Sequence, residues 1–351
     1  MTNPRLERLE RFLRSARALC DVTHPLYKAA RIQLPTATGL SSENVAWALD
    51  FALEVRPSDW DLNLLCERTP QCERAHVLLS ANVFVAALRA VAIAIAAAPE
   101  VHVRPSRREP LMLDFLARAA PGQFQLDREL RPEPGDHVWL YGSDETLLQM
   151  KRTLAPNVVI HEHGSGYGIV IVHDDELCAS ASRQKVARAI VEDVVPFDQR
   201  GCLSPRVVLV EQDRRIARSL WQALAAELII RESEIPLGEL NDDERAEIVR
   251  YGDTLCVAGE VLGAGCGLVS FEAQSLPWIL PPIGRVLHVR TTSNAIEDAK
   301  HQAAALTTIG LVTTGDDRAR RVQQAFPHAR IAKLGFMQRP KLDGPVDLRK
   351  V

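Results

Sequence analysis

The sequence predicts an α/β protein of two parallel-sheet lobes, and three observations support this. From residue 76 onwards, short apolar runs alternate with helical stretches, the order that builds a parallel sheet covered by helices. The turns at Ala81-Asn82, Pro105-Ser106-Arg107-Arg108 and Gly142-Ser143 fall just after those runs, where ligands of such sheets bind. With 351 residues, 46% hydrophobic and 25% charged, the chain has the length for two lobes and the balance of a globular protein.

In order, residues 6–20 set Leu6, Leu9, Phe12, Leu13 and Leu19 on one helical face. Residues 43–54 are expected to be helical, capped by Ser41 or Ser42. Residues 56–75, with Pro57, Pro70 and many charges, read as irregular. A strand at 76–80, an alanine-rich helix at 83–98, a strand at 101–104 and a helix at 111–120 follow. A third cycle has its strand at 136–141 and its helix at 144–154, and a fourth strand covers 158–161. Beyond the glycines of 164–168 come a strand at 169–173, a helix at 182–194, a strand at 207–211 and a helix at 215–228. Residues 229–285 carry weak signals; 254–257 and 267–271 read as a hairpin around Gly263-Ala264-Gly265. The rest reads as strand 285–290, helix 293–305, strand 310–312, helix 316–326, strand 330–334 and a polar tail. The expected division is a helical region over 1–75, a first lobe over 76–168, a second over 169–325, and a strand with its tail over 326–351. The lobes are expected to meet between residues 162 and 202.

Composition removes several functions. The net charge of −3 and the lack of a long basic stretch argue against a nucleic-acid binder. The seven cysteines are scattered, odd in number and form no CxxC pair, so no metal site and no disulfide framework are expected. Reduced thiols fit a cytoplasmic protein. The charged N-terminus does not read as a signal peptide. The most apolar run, 83–99, is too short to span a bilayer and is interrupted by Arg89.

One stretch carries chemistry. Phe197-Asp198-Gln199-Arg200-Gly201-Cys202-Leu203-Ser204-Pro205 places a cysteine on a Gly-Cys turn directly before an apolar strand. Most cysteines are small buried hydrophobes, but a thiol at such a junction can face a cleft as a nucleophile. Arg200 is the nearest cation in sequence.

Five turns extend this reading. Ser80-Ala81-Asn82-Val83-Phe84, Arg104-Pro105-Ser106, Tyr141-Gly142-Ser143, His161-Glu162-His163-Gly164-Ser165 and the Cys202 stretch follow one another in an order that resembles the aldehyde dehydrogenase superfamily. Within it, Cys202-Leu203-Ser204-Pro205 and Gly335-Phe336-Met337-Gln338-Arg339-Pro340 resemble the fatty acyl-CoA reductases of bacterial bioluminescence operons. The resemblance covers roughly residues 75–340. It implies an aldehyde dehydrogenase-like fold of two Rossmann-like lobes around an active-site cleft. The first lobe would bind cofactor and the second would carry the cysteine.

Residue by residue, the resemblance implies that Cys202 is the nucleophile and that Asn82 stabilises the oxyanion. By itself Asn82 could equally cap the following helix. Glu162 matches the glutamate that activates water, and here could serve thiol exchange instead. His161 and His163 replace the usual leucines; either could be a base, and either could be structural. Arg104, Ser106 and Arg107 fall where the family holds the adenosine ribose, and Gly142 and Ser143 where it holds the pyrophosphate. An arginine at 107 in place of a glutamate favours a 2′-phosphate, hence NADP(H), although Arg107 and Arg108 could also be a solvated turn. The family's later glutamate is missing from Leu280-Pro281-Pro282-Ile283-Gly284, and few residues precede Asn82.

The implied function is NADPH-dependent reduction of a fatty acyl thioester, acyl-CoA or acyl carrier, to an aldehyde through a thioacyl-cysteine. The alternatives are an aldehyde dehydrogenase forming an acid, or a non-catalytic relative serving as a binding subunit. Homo-oligomerisation is left open.

Overall fold

A computed structural model describes residues 3–80, 83–211, 213–272 and 278–349. The N-terminal region is four helices, α1 (Pro4–Ala16), α2 (Pro25–Thr38), α3 (Ser42–Trp47) and α4 (Asp59–Arg68). In α1 the buried residues are Leu9, Phe12, Leu13 and Ala16, the three- and four-residue spacing of one helical face. Two of these helices were not expected. In α2, Pro25 occupies the first turn, where a missing N–H costs nothing, and the His24 ring accepts from Leu26 N at 3.1 Å. In α4, Ser58 and Asp61 form a reciprocal capping box, so the stretch read as irregular is helical up to Arg68.

The first sheet is built from β1 (Arg74–Leu78), α5 (Ala86–Ala97), β2 (Glu100–Arg104), α6 (Leu111–Ala119), β3 (Gln125–Leu126), β4 (His137–Tyr141), α7 (Asp144–Thr153) and β5 (Val159–His163). Its order is β3-β2-β1-β4-β5, with every pairing parallel. Helix α5 is buried along its whole length from Ala87 to Ala97, including Arg89, because α1 and α4 cover the side turned away from the sheet. That helical layer and one face of the sheet share a core.

The second sheet comes from β6 (Tyr167–His173), α8 (Ser180–Val194), β7 (Pro205–Glu211), α9 (Arg214–Glu234), α10 (Asp242–Ala258), β8 (Gly259–Ala264), β9 (Gly267–Glu272), β10 (Val286–Thr291), α11 (Ala295–Lys300), β11 (Leu306–Leu311), α12 (Asp317–Ala325) and β12 (Arg330–Lys333). Its order is β12-β11-β6-β7-β10-β9-β8, and only the β8–β9 hairpin is antiparallel. The hairpin's first strand lies later than expected. Residues 254–257 belong to α10, which Asn241 and Glu244 start with a second capping box, and the strand begins at Gly259. The helix expected over 293–305 stops at Lys300, and its strand begins at Leu306.

The two sheets are joined where β5 ends the first and β6 begins the second. β5 leads through Gly164, Ser165 and Gly166 into β6, so the carboxyl edge of the first sheet meets the amino ends of β6 and β7. Among the described residues, no helix is long and apolar enough to cross a membrane.

Candidate functional site

Cys202 is presented by a strained and heavily tied turn. After α8, Phe197, Asp198 and Gln199 all have positive φ, at 56°, 50° and 65°. Each such residue costs about 1–2 kcal/mol outside glycine, so three in succession need compensating contacts. The Phe197 ring packs edge-on against Trp47 and Phe84, each at 6.1 Å between centroids. Its N–H donates to Asn44 Oδ1 at 3.0 Å. The buried Asp198 carboxylate accepts from Asn44 Nδ2 at 3.2 Å, Gly238 N at 3.0 Å and Arg285 Nη2 at 2.8 Å. Gln199 Nε2 donates to Pro205 O at 2.8 Å and Val286 O at 2.7 Å, and its Oε1 accepts from Val286 N at 2.8 Å. The segment read as lacking the downstream glutamate is a buttress here: Gly284 N donates to Asp198 O at 3.1 Å.

The half-buried Cys202 thiol is pushed up to about 11, first by burial and then by the Asp347 carboxylate; Arg349 and Arg89 act in the opposite direction. Arg200 supplies no such charge, because its guanidinium donates to Glu239 O at 2.6 Å and pairs with Glu244 at 3.3 Å. At rest the cysteine is a thiol.

The end of β5 separates two neighbours in sequence. Leu140 pairs with Glu162 and Tyr141 with His163, so consecutive side chains take opposite faces. Glu162 is tied to Lys151 of α7. His163 turns the other way and stacks on Tyr141 at 4.6 Å between centroids. The ring feels Asp347 and Arg349, the pair that also acts on Cys202. His161 stacks on Trp139 at 4.4 Å. Burial pulls both histidines down to about 4, so both are neutral near pH 7.

The other expected positions line the carboxyl edge of the first sheet. Arg104 ends β2, and its carbonyl accepts from Leu79 N at 3.2 Å. Ser106 Oγ accepts from Arg108 N at 3.2 Å, and Arg107 beside it is exposed. Gly142 N donates to His163 O at 3.3 Å, and Ser143 caps α7 by accepting from Thr146 N at 3.3 Å. The first turn of α7 carries Asp144 and Glu145, although Asp144 Oδ1 accepts from Ser165 N at 2.9 Å. Asn82 lies outside the described residues; Val83, which follows it, sets Cγ2 3.0 Å from where a Cβ on Gly201 would stand.

The polar tail expected after residue 334 is an anchored strap. Arg89, inside α5, donates to Pro340 O at 3.1 Å, Lys341 O at 2.7 Å and Gly344 O, and pairs with Glu54 at 2.8 Å. Arg330 holds Asp343 at 2.8 Å, Pro345 O at 2.6 Å and Val346 O at 3.0 Å. Arg349 donates to Ser165 O at 2.9 Å, Ala304 O at 3.0 Å and Gly164 O at 3.4 Å, and pairs with the buried Asp347. Sequence reasoning missed these residues, although one signal was present: Arg89 is the sole charge in the apolar run, and a buried guanidinium needs acceptors.

Comparison with solved structures shows the fold. An oxidoreductase from Marinobacter aquaeolei superposes with a TM-score of 0.73 at 14% identity, over 99% of this chain and 84% of that one. An NAD-dependent aldehyde dehydrogenase from Sinorhizobium meliloti gives 0.69 at 15% identity, over 94% and 74% of the two chains. No curated protein matches in sequence. The profile of the acyl-CoA reductase (LuxC) family matches residues 120–350, about two thirds of the chain, a span that includes Gly142, Glu162 and Cys202. This is an oxidoreductase with the aldehyde dehydrogenase fold, and the chain belongs to the acyl-CoA reductase (LuxC) family.

Proposed function

We propose that the protein reduces a fatty acyl thioester to an aldehyde with NADPH, through a thioacyl group on Cys202. The observation that carries this reading is the tied turn. Three left-handed residues are held in place so that Cys202 stands at the junction of the two sheets, beside the carboxyl edge of the first. The Cys202 sulfur attacks the acyl carbonyl, and the carbon–sulfur bond to the leaving thiol breaks. The leaving thiolate takes up the proton that Cys202 gave. Asn82 is the proposed donor to the oxyanion.

The crevice fits a nicotinamide dinucleotide at its adenosine end. Arg104, Ser106 and the exposed Arg107 stand at the end of β2, and a guanidinium there suits a 2′-phosphate. Gly142 and Ser143 would lie along the pyrophosphate; Asp144 and Glu145 oppose that charge, which argues for modest affinity. When bound, a reduced nicotinamide would supply a hydride to the thioacyl carbon; the carbon–sulfur bond to Cys202 then breaks, releasing the aldehyde and returning the thiolate, which takes up a proton. The proposed division of labour gives 76–168 to cofactor and 169–325 to the thiol.

The position of Glu162 favours reduction over aldehyde oxidation. Its carboxylate is paired with Lys151, on the sheet face opposite His163, and that pair competes with any role as a base. The deciding experiment is incubation with a radiolabelled fatty acyl-CoA. A covalent adduct is expected in the wild type and is lost in Cys202→Ala; no adduct in either, or equal labelling of both, overturns the reading. Kinetics with NADPH and NADH test the cofactor: a lower KM for NADH would remove Arg107 from that role.

A further inference from the structure

In open parallel sheets, ligands bind in the crevice beyond the strand carboxyl ends. Here the chain's own strap occupies that crevice at its β5 edge, away from Arg104 and Arg107 at the end of β2. Arg349 takes the carbonyls of Gly164 and Ser165, immediately after β5, and Asp347 is 5% exposed beneath it. Arg89 and Arg330 fix the strap's other end through the carbonyls of Pro340, Lys341, Gly344, Pro345 and Val346.

A second, independent observation concerns what the strap leaves unsatisfied. Tyr141 Oη, both ring nitrogens of His163 and Thr307 Oγ1 are shut from solvent with no hydrogen-bond partner among the described residues. Buried polar atoms are paired in the great majority of cases, so a cluster of orphans marks a site whose partner is something else. Tyr141 and His163 lie together, and Thr307 lies against Gly166 beside the Arg349 guanidinium. Tyr141 stacks on His163, and both feel Asp347. A Cβ on Gly166 would strike Thr307 Oγ1 and the Arg349 guanidinium together. Cys202 feels the same Asp347 and Arg349. A phenol, a neutral imidazole and a hydroxyl are uncharged groups that donate and accept, which suits amides and carbonyls rather than an anion.

We propose that segment 343–349 is a strap seated in the acyl thioester's own binding crevice, and that the amide-bearing thiol arm of the substrate displaces it and pairs with Tyr141, His163 and Thr307. The inference rests on the acyl-thioester reading above and deepens it. Displacement also withdraws the Asp347 carboxylate from Cys202, so substrate entry and thiol activation become one event. Arg89 keeps Pro340 and Lys341 in place throughout, so the strap hinges there, while the Arg89 bond to Gly344 and the Arg330 bonds to Asp343, Pro345 and Val346 break on displacement.

The test uses the full chain as Cys202→Ala, to block chemistry, and an alkyl pantetheine thioether as probe. Hydrogen exchange of the backbone amides of 343, 344 and 346–349, Pro345 having none, is expected to speed up about tenfold at saturating probe. Arg349→Met is expected to bind the probe about tenfold more tightly, because the competent fraction rises. Tyr141→Phe and His163→Leu are expected to bind it more weakly, with strap exchange in the free protein unchanged. Unchanged strap exchange at saturation, or unchanged or weaker binding by Arg349→Met, overturns the proposal. If labelled acyl-CoA still acylates the wild-type cysteine while the strap stays protected, the strap proposal fails and the thioester reading stands. If neither adduct nor probe binding is seen, both fail.

Discussion

Residue by residue, the site's stability and its reactivity pull on different groups. Asp198 and Arg285 form a fully buried pair at 2.8 Å under the Cys202 turn. Removing one partner of such a pair strands the other charge, which costs about 3–5 kcal/mol. Arg285→Met is therefore expected to lower the denaturation midpoint sharply, measured by chemical unfolding. Cys202 itself should react slowly. With the thiol pushed up to about 11, its iodoacetamide alkylation, followed by peptide mass spectrometry, is expected to climb about tenfold per pH unit from pH 7 to 10. A plateau near pH 7 would show that the thiol ionises far more easily. The turn that carries Cys202 between a helix and an apolar strand was legible in the sequence, because it is a local pattern. The orientation of Glu162 and His163 was not, because shifting one position along a strand exchanges faces and sequence does not state which face meets the crevice.

At the level of elements, the strand–helix alternation from residue 76 was readable because each run carries its own period. The omissions have specific causes. Pro25 and Pro35 look like breakers, yet Pro25 sits in the first turn of α2, and Pro35 is tolerated inside the helix. The charges of α4 disguised a capping box at Ser58 and Asp61. Ser58→Ala is expected to cost about 1 kcal/mol, read as a lowered Tm, since it removes the acceptor for Asp61 N. The strand expected at 254–257 was absorbed by α10, because Asn241 and Glu244 start a helix that continues unbroken to Ala258. A cap at a helix's start decided the state of residues more than a dozen positions later.

Across the whole molecule, one buried acid makes stability depend on pH. Asp193, at the end of α8, accepts from Gly335 N at 2.7 Å and Met337 N at 2.8 Å, where the chain turns towards the strap. Burial raises it from 3.8 to about 8 in the folded state, against the pull of those two N–H groups. Between these values the folded protein holds a proton that the unfolded chain has lost, so Asp193 contributes less stability as pH rises from about 4 to about 8. His161 and His163, lowered to about 4, act in the opposite sense up to about pH 6.5. Tm is therefore expected to decline in the wild type between about pH 6.5 and 8, and to flatten there in Asp193→Asn. The two-sheet architecture was legible as a whole because parallel sheets follow from element order. The strap was not, because its anchors act over distances that periodicity cannot report: Arg89 and Gly344 are separated by 255 positions.

That separation has a consequence during synthesis. Helix α5 leaves the ribosome with a guanidinium and the Glu54 carboxylate in its apolar surroundings, while two of the carbonyls that complete the arrangement come 255 and 252 positions later. The first sheet therefore waits for the strap before its core closes without a penalty. A fragment ending at residue 166 is expected to stay loosely folded, with weak hydrogen-exchange protection in α5. Adding a peptide of residues 338–349 in trans is expected to restore part of it.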